Sequence, residues 1–204
     1  MTPEGKHATV PVFVPHLACP NDCVFCNQRR IAGTEKPIED VYGCLRDEMS
    51  KMSKQFREVD IAFFGGSFTG IGEAEMRRYL SAAAKIRQQD GRIPGIRLST
   101  RPDYIDPDIL GILKEYGVTA VELGAQSMDD GVLALAGRGH TASDTVRAAG
   151  MIRDAGFELV LQIMPGLPGS DEKKDLETAD AVFALKPDGI RIYPCTVIKQ
   201  TKLE

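Results

Sequence analysis

Apolar residues fall in short runs that end in glycine or polar turns, separated by longer stretches with apolar positions at helical spacing. The short runs read as strands. They are TVPVFVPH (9–16), VDIAFFGG (59–66), IRLSTR (96–101), AVELGAQ (120–126), LVLQIMPG (159–166) and GIRIYPC (189–195). Two intervening stretches, VYGCLRDEMSKM near 41–52 and AEMRRYLSAAAKIRQQ near 74–89, predict helices. Others are bounded by their own chemistry. In IDPDILGILKEYG, Asp106 is placed to cap a helix, Pro107 fits its first turn and Gly117 supplies the left-handed residue after its end. Thr141 and Gly156 bracket the next helix in the same way. Ser170 or Asp171 can cap a last one that runs to about Lys186.

Strands alternating with helices predict βαβ units and a parallel sheet, an α/β class. Several strands are near-continuous apolar runs, as expected when both faces are covered. Six units can build an open doubly wound sheet or a partial barrel, and periodicity alone does not separate the two. No internal repeat, low-complexity tract or linker interrupts the 204 residues, which suffice for one sizeable core.

Each strand ends in something chemically unusual: His16 and the cysteines, GGSFTG, STRPD, GAQS, QIMPGLPG and YPC. In parallel α/β folds, sites gather at the carboxyl ends of strands. Six such endings predict one shared site across that face.

Composition narrows the function classes. Net charge is −4, whereas dedicated nucleic-acid binders are usually basic. Arg29 and Arg30 would either seed a local basic patch or start a solvated helix. The polar N-terminus MTPEGKHAT, and an apolar run VPVFVPHLA broken by Pro11 and Pro15, give no signal peptide. No stretch approaches the roughly 20 apolar residues of a membrane span. The expectation is a soluble cytoplasmic protein with no membrane partner.

Three of the five cysteines crowd into CPNDCVFC. Five is an odd, sparse set, unlike a secreted disulfide scaffold, so metal ligation or redox chemistry is the better reading. A structural zinc site usually needs a fourth ligand. His16, Cys44 and Cys195 are the candidates, and none has the usual paired spacing. Three thiolates from Cys19, Cys23 and Cys26 favour soft-ligand chemistry, an iron–sulfur cluster foremost. Three ligands on a [4Fe–4S] cluster leave one iron open to a small molecule.

Other strand-end residues carry two readings each. Gly65, Gly66 and Ser67 form either a close-approach loop or an ordinary turn. After Thr100, Arg101 either grips a carboxylate or phosphate or pairs with Asp103 or Asp106. Gln126 is satisfied in the core or bonded to a ligand. Arg138 is either a surface residue near a helix end or part of the site. Cys44 reads as a buried small apolar residue, Cys195 as packing or site-facing, and His140 as a cap or loop residue. His16 is placed to orient the cysteine loop, and Tyr193 to line a substrate side.

At CPNDCVFC the chain resembles the radical S-adenosylmethionine (SAM) superfamily, with Phe25 in the aromatic slot of its cysteine loop. The resemblance implies a partial (β/α)6 barrel of the TIM-like type. It also implies a [4Fe–4S] cluster on Cys19, Cys23 and Cys26 whose fourth iron takes SAM. One electron from an external donor, of flavodoxin or ferredoxin type, then yields methionine and a 5′-deoxyadenosyl radical that abstracts hydrogen from a substrate. Gly65, Gly66 and Ser67 match the family's motif for the SAM amino group, and Thr100 and Arg101 end the next strand.

GGSFT, STRPDYI, VELGAQS…GRGHT and IMPGLPGSD, in that order, are similar to the radical-SAM domain of the Elongator catalytic subunit and its bacterial relatives. LGAQS…GRGH is also similar to oxygen-independent coproporphyrinogen oxidases. There the glutamine matching Gln126 meets the SAM ribose and the arginine matching Arg138 meets the methionine carboxylate. Gln162 stands where those oxidases carry a ribose-binding aspartate. Elongator subunits space their first two cysteines more widely and carry an acetyltransferase domain after the barrel. The expectation is one radical-SAM core domain over 1–204, as a fragment of a longer chain or as a smaller enzyme. A tRNA substrate, modified at wobble uridine, is the Elongator-like reading. Two rivals stand beside it: an iron–sulfur or zinc redox or regulatory module without SAM chemistry, and a coproporphyrinogen-oxidase-like oxidoreductase.

Overall fold

The computed structural model describes residues 6–14, 23–27 and 38–204. They form six strands: β1 (Lys6–Val14), β2 (Phe56–Gly65), β3 (Ile96–Thr100), β4 (Val118–Gln126), β5 (Glu158–Ile163) and β6 (Gly189–Ile192). Between them run α1 (Val41–Lys51), α2 (Glu73–Gln89), α3 (Pro107–Glu115), α4 (Asp130–Leu135), α5 (Ala142–Asp154) and α6 (Glu172–Ala184). All strand pairs are parallel and the order is β1-β2-β3-β4-β5-β6. A doubly wound sheet must reverse its strand order once. This one never does, so right-handed crossovers put every helix on the same face and the sheet curls the other way. The result is an open half-barrel, a partial TIM barrel, because β1 and β6 do not pair with each other.

The helix-facing side is apolar. Val10, Val12 and Val14 of β1, Ile61 and Phe63 of β2, Leu98 of β3, Val121 and Leu123 of β4, and Leu159 and Leu161 of β5 share one core with α1, α2, α3 and α5. Phe63 stacks on Phe68 at 4.8 Å between ring centroids, and Tyr79 meets both edge-on. Side chains alternate across a strand, so the intervening residues line the concave face.

Local chemistry sets the helix boundaries. Asp106 accepts from Ile109 N–H at 2.8 Å, and Thr141 with Asp144 forms a reciprocal capping box. Asp171, not Ser170, caps α6 by accepting from Lys174 N–H, while Ser170 donates to Asp175 at 2.6 Å. β5 and β6 stop three residues short of the reading at their C-terminal ends, at Ile163 and Ile192. Pro165 and Pro194 have no N–H to extend a ladder.

Candidate active site

The strand ends meet on one face, as their sequences predict. Val14 pairs with Gly65, so the loops leaving β1 and β2 start side by side. Gly65 has φ +112°, and a Cβ there would lie 2.7 Å from Val14 O. Only glycine allows the two backbones to approach this closely.

The next cluster is built on β4. Its pairing with β5 is interrupted between Gly124 and Gln126, and Gln126 adopts φ 68°. Such an irregularity re-aims a side chain at the end of a strand. Gln126 O accepts from Met164 N–H at 2.8 Å, which locks the turn. The side chain is 8% exposed, and its Oε1 has no hydrogen-bond partner among the described residues. Gly124 leaves the necessary space, because a Cβ would sit 3.0 Å from Gln126 Nε2 and 3.3 Å from Arg138 Nη2.

Arg138 is buried there. Its Nη2 donates to Gly124 O at 2.7 Å, and its Nη1 reaches Cys23 Sγ at 3.5 Å. The backbone of the cysteine loop is also held: Val24 N–H donates to Ala136 O and Val24 O accepts from Leu203 N–H. Phe25 and Val24 pack with Val132, Ala136, Leu167 and Cys195. Burial pushes the Cys195 thiol upward. Cys44 is half-buried rather than buried, and its thiol is raised first by burial and then by Glu48.

Ser67, Thr100 and Thr69 form a buried hydroxyl chain. The Ser67 and Thr100 oxygens lie 2.8 Å apart, Thr100 meets Thr69 at 2.6 Å, and Arg101 N–H donates to Ser67. Arg101 takes the pairing alternative, with a two-point contact to Asp103 at 2.9 and 2.8 Å. Asp106 is occupied as a cap. His140 is the loop residue of the two readings, between α4 and α5, but a buried one whose Nε2–H donates to Ala125 O at 3.2 Å. Burial, and then the charge of Arg138, lowers its pKa to about 4.

Phe25, Cys26, Gly65 and Gln162 share a cavity of about 510 Å³ with Phe64, Met164 and Tyr193. Gly66, Ser67, Thr100, Arg101, Gln126 and Arg138 do not line it. Cys19, His16, Arg29 and Arg30 lie outside the described residues. Among the described residues no three metal-ligating side chains converge, and the cysteine set lacks its first member there.

Sequence reasoning missed a charged layer at the cavity, whose lining includes Glu122 and Arg191. Glu122 is 0% exposed and pairs with Arg191 at 2.9 Å. Arg97 bridges Asp60, Glu122 and Glu158, and Asp60 also meets His7. The available signal was a glutamate inside the otherwise apolar run AVELGA, because a charge there requires a partner.

A profile described as the radical SAM superfamily matches residues 13–182. A tRNA uridine(34) acetyltransferase of Dehalococcoides mccartyi is 39% identical over 96% of this chain and 50% of its own length. One from Methanocaldococcus jannaschii is 30% identical over 77% of this chain and 32% of its own. A solved structure of Methanocaldococcus infernus Elp3 superposes with a TM-score of 0.75 and 26% identity, over 97% of this chain and 47% of that one. The chain therefore spans a third to a half of the length of these relatives. Among the described residues no helix is long and apolar enough to cross a membrane. The profile covers most of the chain; the chain belongs to the radical SAM superfamily of enzymes.

Proposed function

We propose that this chain carries a [4Fe–4S] cluster on Cys19, Cys23 and Cys26, binds SAM at its open iron, and cleaves SAM reductively to act on a tRNA substrate. One observation carries the reading: the Arg138 guanidinium spans from Gly124 O to Cys23 Sγ in a buried corner beside Gln126 Oε1, which has no hydrogen-bond partner among the described residues. A cation against the sulfur suits a thiolate ligand. A buried amide oxygen with no partner suits a ligand donor.

When bound, the cluster supplies the electron for cleavage of SAM, drawn from an external flavodoxin- or ferredoxin-type donor. The chain's residues bind and orient. Arg138 offers donors to a methionine carboxylate while holding its own position through Gly124. Gly65 and Gly66 match the family's motif for the SAM amino group, and Ser67, Thr100 and Arg101 hold that turn through their mutual contacts and Asp103. Gln126 and Gln162 accept from ribose hydroxyls. Phe25 walls the cavity beside Cys26 and excludes water. Support for tRNA comes from the relative 39% identical, which is named a tRNA uridine(34) acetyltransferase.

The test is anaerobic reconstitution followed by SAM and dithionite. The expected result is about four irons per chain and 5′-deoxyadenosine as product, with turnover raised by tRNA. Cluster-loaded protein that forms no 5′-deoxyadenosine would overturn the SAM reading and favour a redox module. Zinc in protein purified without air would do the same. Turnover indifferent to tRNA would overturn the substrate reading alone.

A further inference from the structure

Among the described residues Glu122 is the most completely buried carboxylate of the concave face, and it is held by three side chains. Oε2 accepts from Gln162 Nε2 at 3.2 Å and from Arg191 Nε at 2.9 Å. Oε1 accepts from Arg191 Nη2 at 2.9 Å, with Arg97 Nε at 3.6 Å. The register explains the geometry. Glu122 pairs with Val160, so Gln162 is its diagonal neighbour on the same face, and Arg191 lies directly beside Gln162 on β6.

A carboxylate only accepts hydrogen bonds. Gln162 must therefore turn its NH2 toward Glu122, and its Oε1 is directed away from it. Oε1 has no hydrogen-bond partner among the described residues, and Gln162 lines the cavity. The bond to Glu122 is the one side-chain hydrogen bond that fixes the amide's orientation among the described residues, and the amide's two ends offer opposite chemistry.

We infer that Glu122 is a positioning residue that fixes Gln162 as a hydrogen-bond acceptor toward the cavity, so that the site selects a ligand group that donates. The inference rests on the proposed placement of Gln162 at the SAM ribose. On that placement, the hydroxyl facing Gln162 must donate, and a group that only accepts is rejected. Arg191 keeps the carboxylate charge compensated, and its side-chain hydrogen bonds go to Glu122 and Tyr193 rather than to Gln162. The Glu122–Arg191 pair is a two-point contact, and Arg191 Nη1 turns to the Tyr193 hydroxyl at 3.4 Å.

The experiment measures equilibrium binding, without reductant, of SAM and of analogues carrying fluorine in place of the ribose 2′ or 3′ hydroxyl. Reconstituted wild type, Glu122→Gln and Arg191→Gln are compared. Fluorine cannot donate. The wild type is expected to bind one of the fluoro analogues about three- to tenfold more weakly than SAM, the scale of one neutral hydrogen bond. Glu122→Gln frees the amide to flip and is expected to bring that ratio close to one, whereas Arg191→Gln retains it. If Glu122→Gln does not fold, the double variant Glu122→Gln/Arg191→Gln removes both charges together and is expected to lose the ratio as well. An undiminished ratio in the Glu122 variants overturns the inference. So does an equal loss in Arg191→Gln, which would mean general loosening of the layer. A wild type that binds all three ligands equally overturns the placement of Gln162 at the ribose itself.

Discussion

His140 makes the folded protein sensitive to mild acid. It is 4% exposed, its pKa is lowered to about 4 chiefly by burial, and the Arg138 charge adds to the effect. In an unfolded chain a histidine titrates near 6.5. Between those values the unfolded chain binds a proton that the folded chain refuses. Stability therefore rises with pH through this window, is complete above about 6.5, and is lost as pH falls toward 4. At about 1.4 kcal/mol per pH unit, the loss from pH 7 to pH 5 is roughly 2 kcal/mol, and the full loss is roughly 3 kcal/mol. His140→Gln keeps an N–H donor for Ala125 O and removes the titration. Urea unfolding of both proteins, followed by circular dichroism at several values from pH 5 to pH 8, isolates the contribution. Carboxylates lowered by their partners, such as Asp144 under the Thr141 N–H, titrate below this range and cancel between the two proteins. The wild type is expected to lose about 2 kcal/mol more than the variant from pH 7 to pH 5. Parallel curves would refute the reasoning.

Three further outcomes follow from the site. Gly65→Ala places a Cβ against Val14 O at φ +112°, so the urea midpoint is expected to report about 1–3 kcal/mol of lost stability; an unchanged midpoint would show that β1 and β2 can part there. Cys23→Ala is expected to give protein with native circular dichroism that takes up no more than background iron on anaerobic reconstitution, and full iron content would contradict its role as a ligand. Arg138→Lys keeps the charge but cannot span from Gly124 O to Cys23 Sγ, so SAM binding is expected to weaken about tenfold or more; an unchanged Kd removes Arg138 from the site.

What the sequence revealed was local chemistry. Asp106, Thr141 and Asp171 cap helices through N–H groups three residues ahead, within a window that a reader of the chain can see. The strand ends were legible because glycine, proline and polar residues break each apolar run. The choice between a doubly wound sheet and a half-barrel was not legible, because it depends on strand order and not on any strand's own pattern. Helix α4 was missed because six residues are too few to show a period, although Asp129 caps it by accepting from Val132 N–H. The charged layer was hidden by distance along the chain: Arg97 meets Asp60 across 37 residues and Arg191 meets Glu122 across 69.

Strand β4 joins these levels. Val121 and Leu123 enter the helix-facing core, Glu122 enters the charged layer, Gly124 clears space for Arg138, and the irregularity after Gly124 turns Gln126 toward that corner. A one-residue slip would carry Glu122 into the apolar core and Leu123 into the ionic layer. Stripping Glu122 from its arginines costs about 3–5 kcal/mol for a buried pair, before any loss of apolar burial is counted. The apolar and the ionic faces therefore specify the same register. The break in pairing after Gly124 escapes that register only at the last residue of the strand, Gln126, which the proposed function assigns to binding and not to packing.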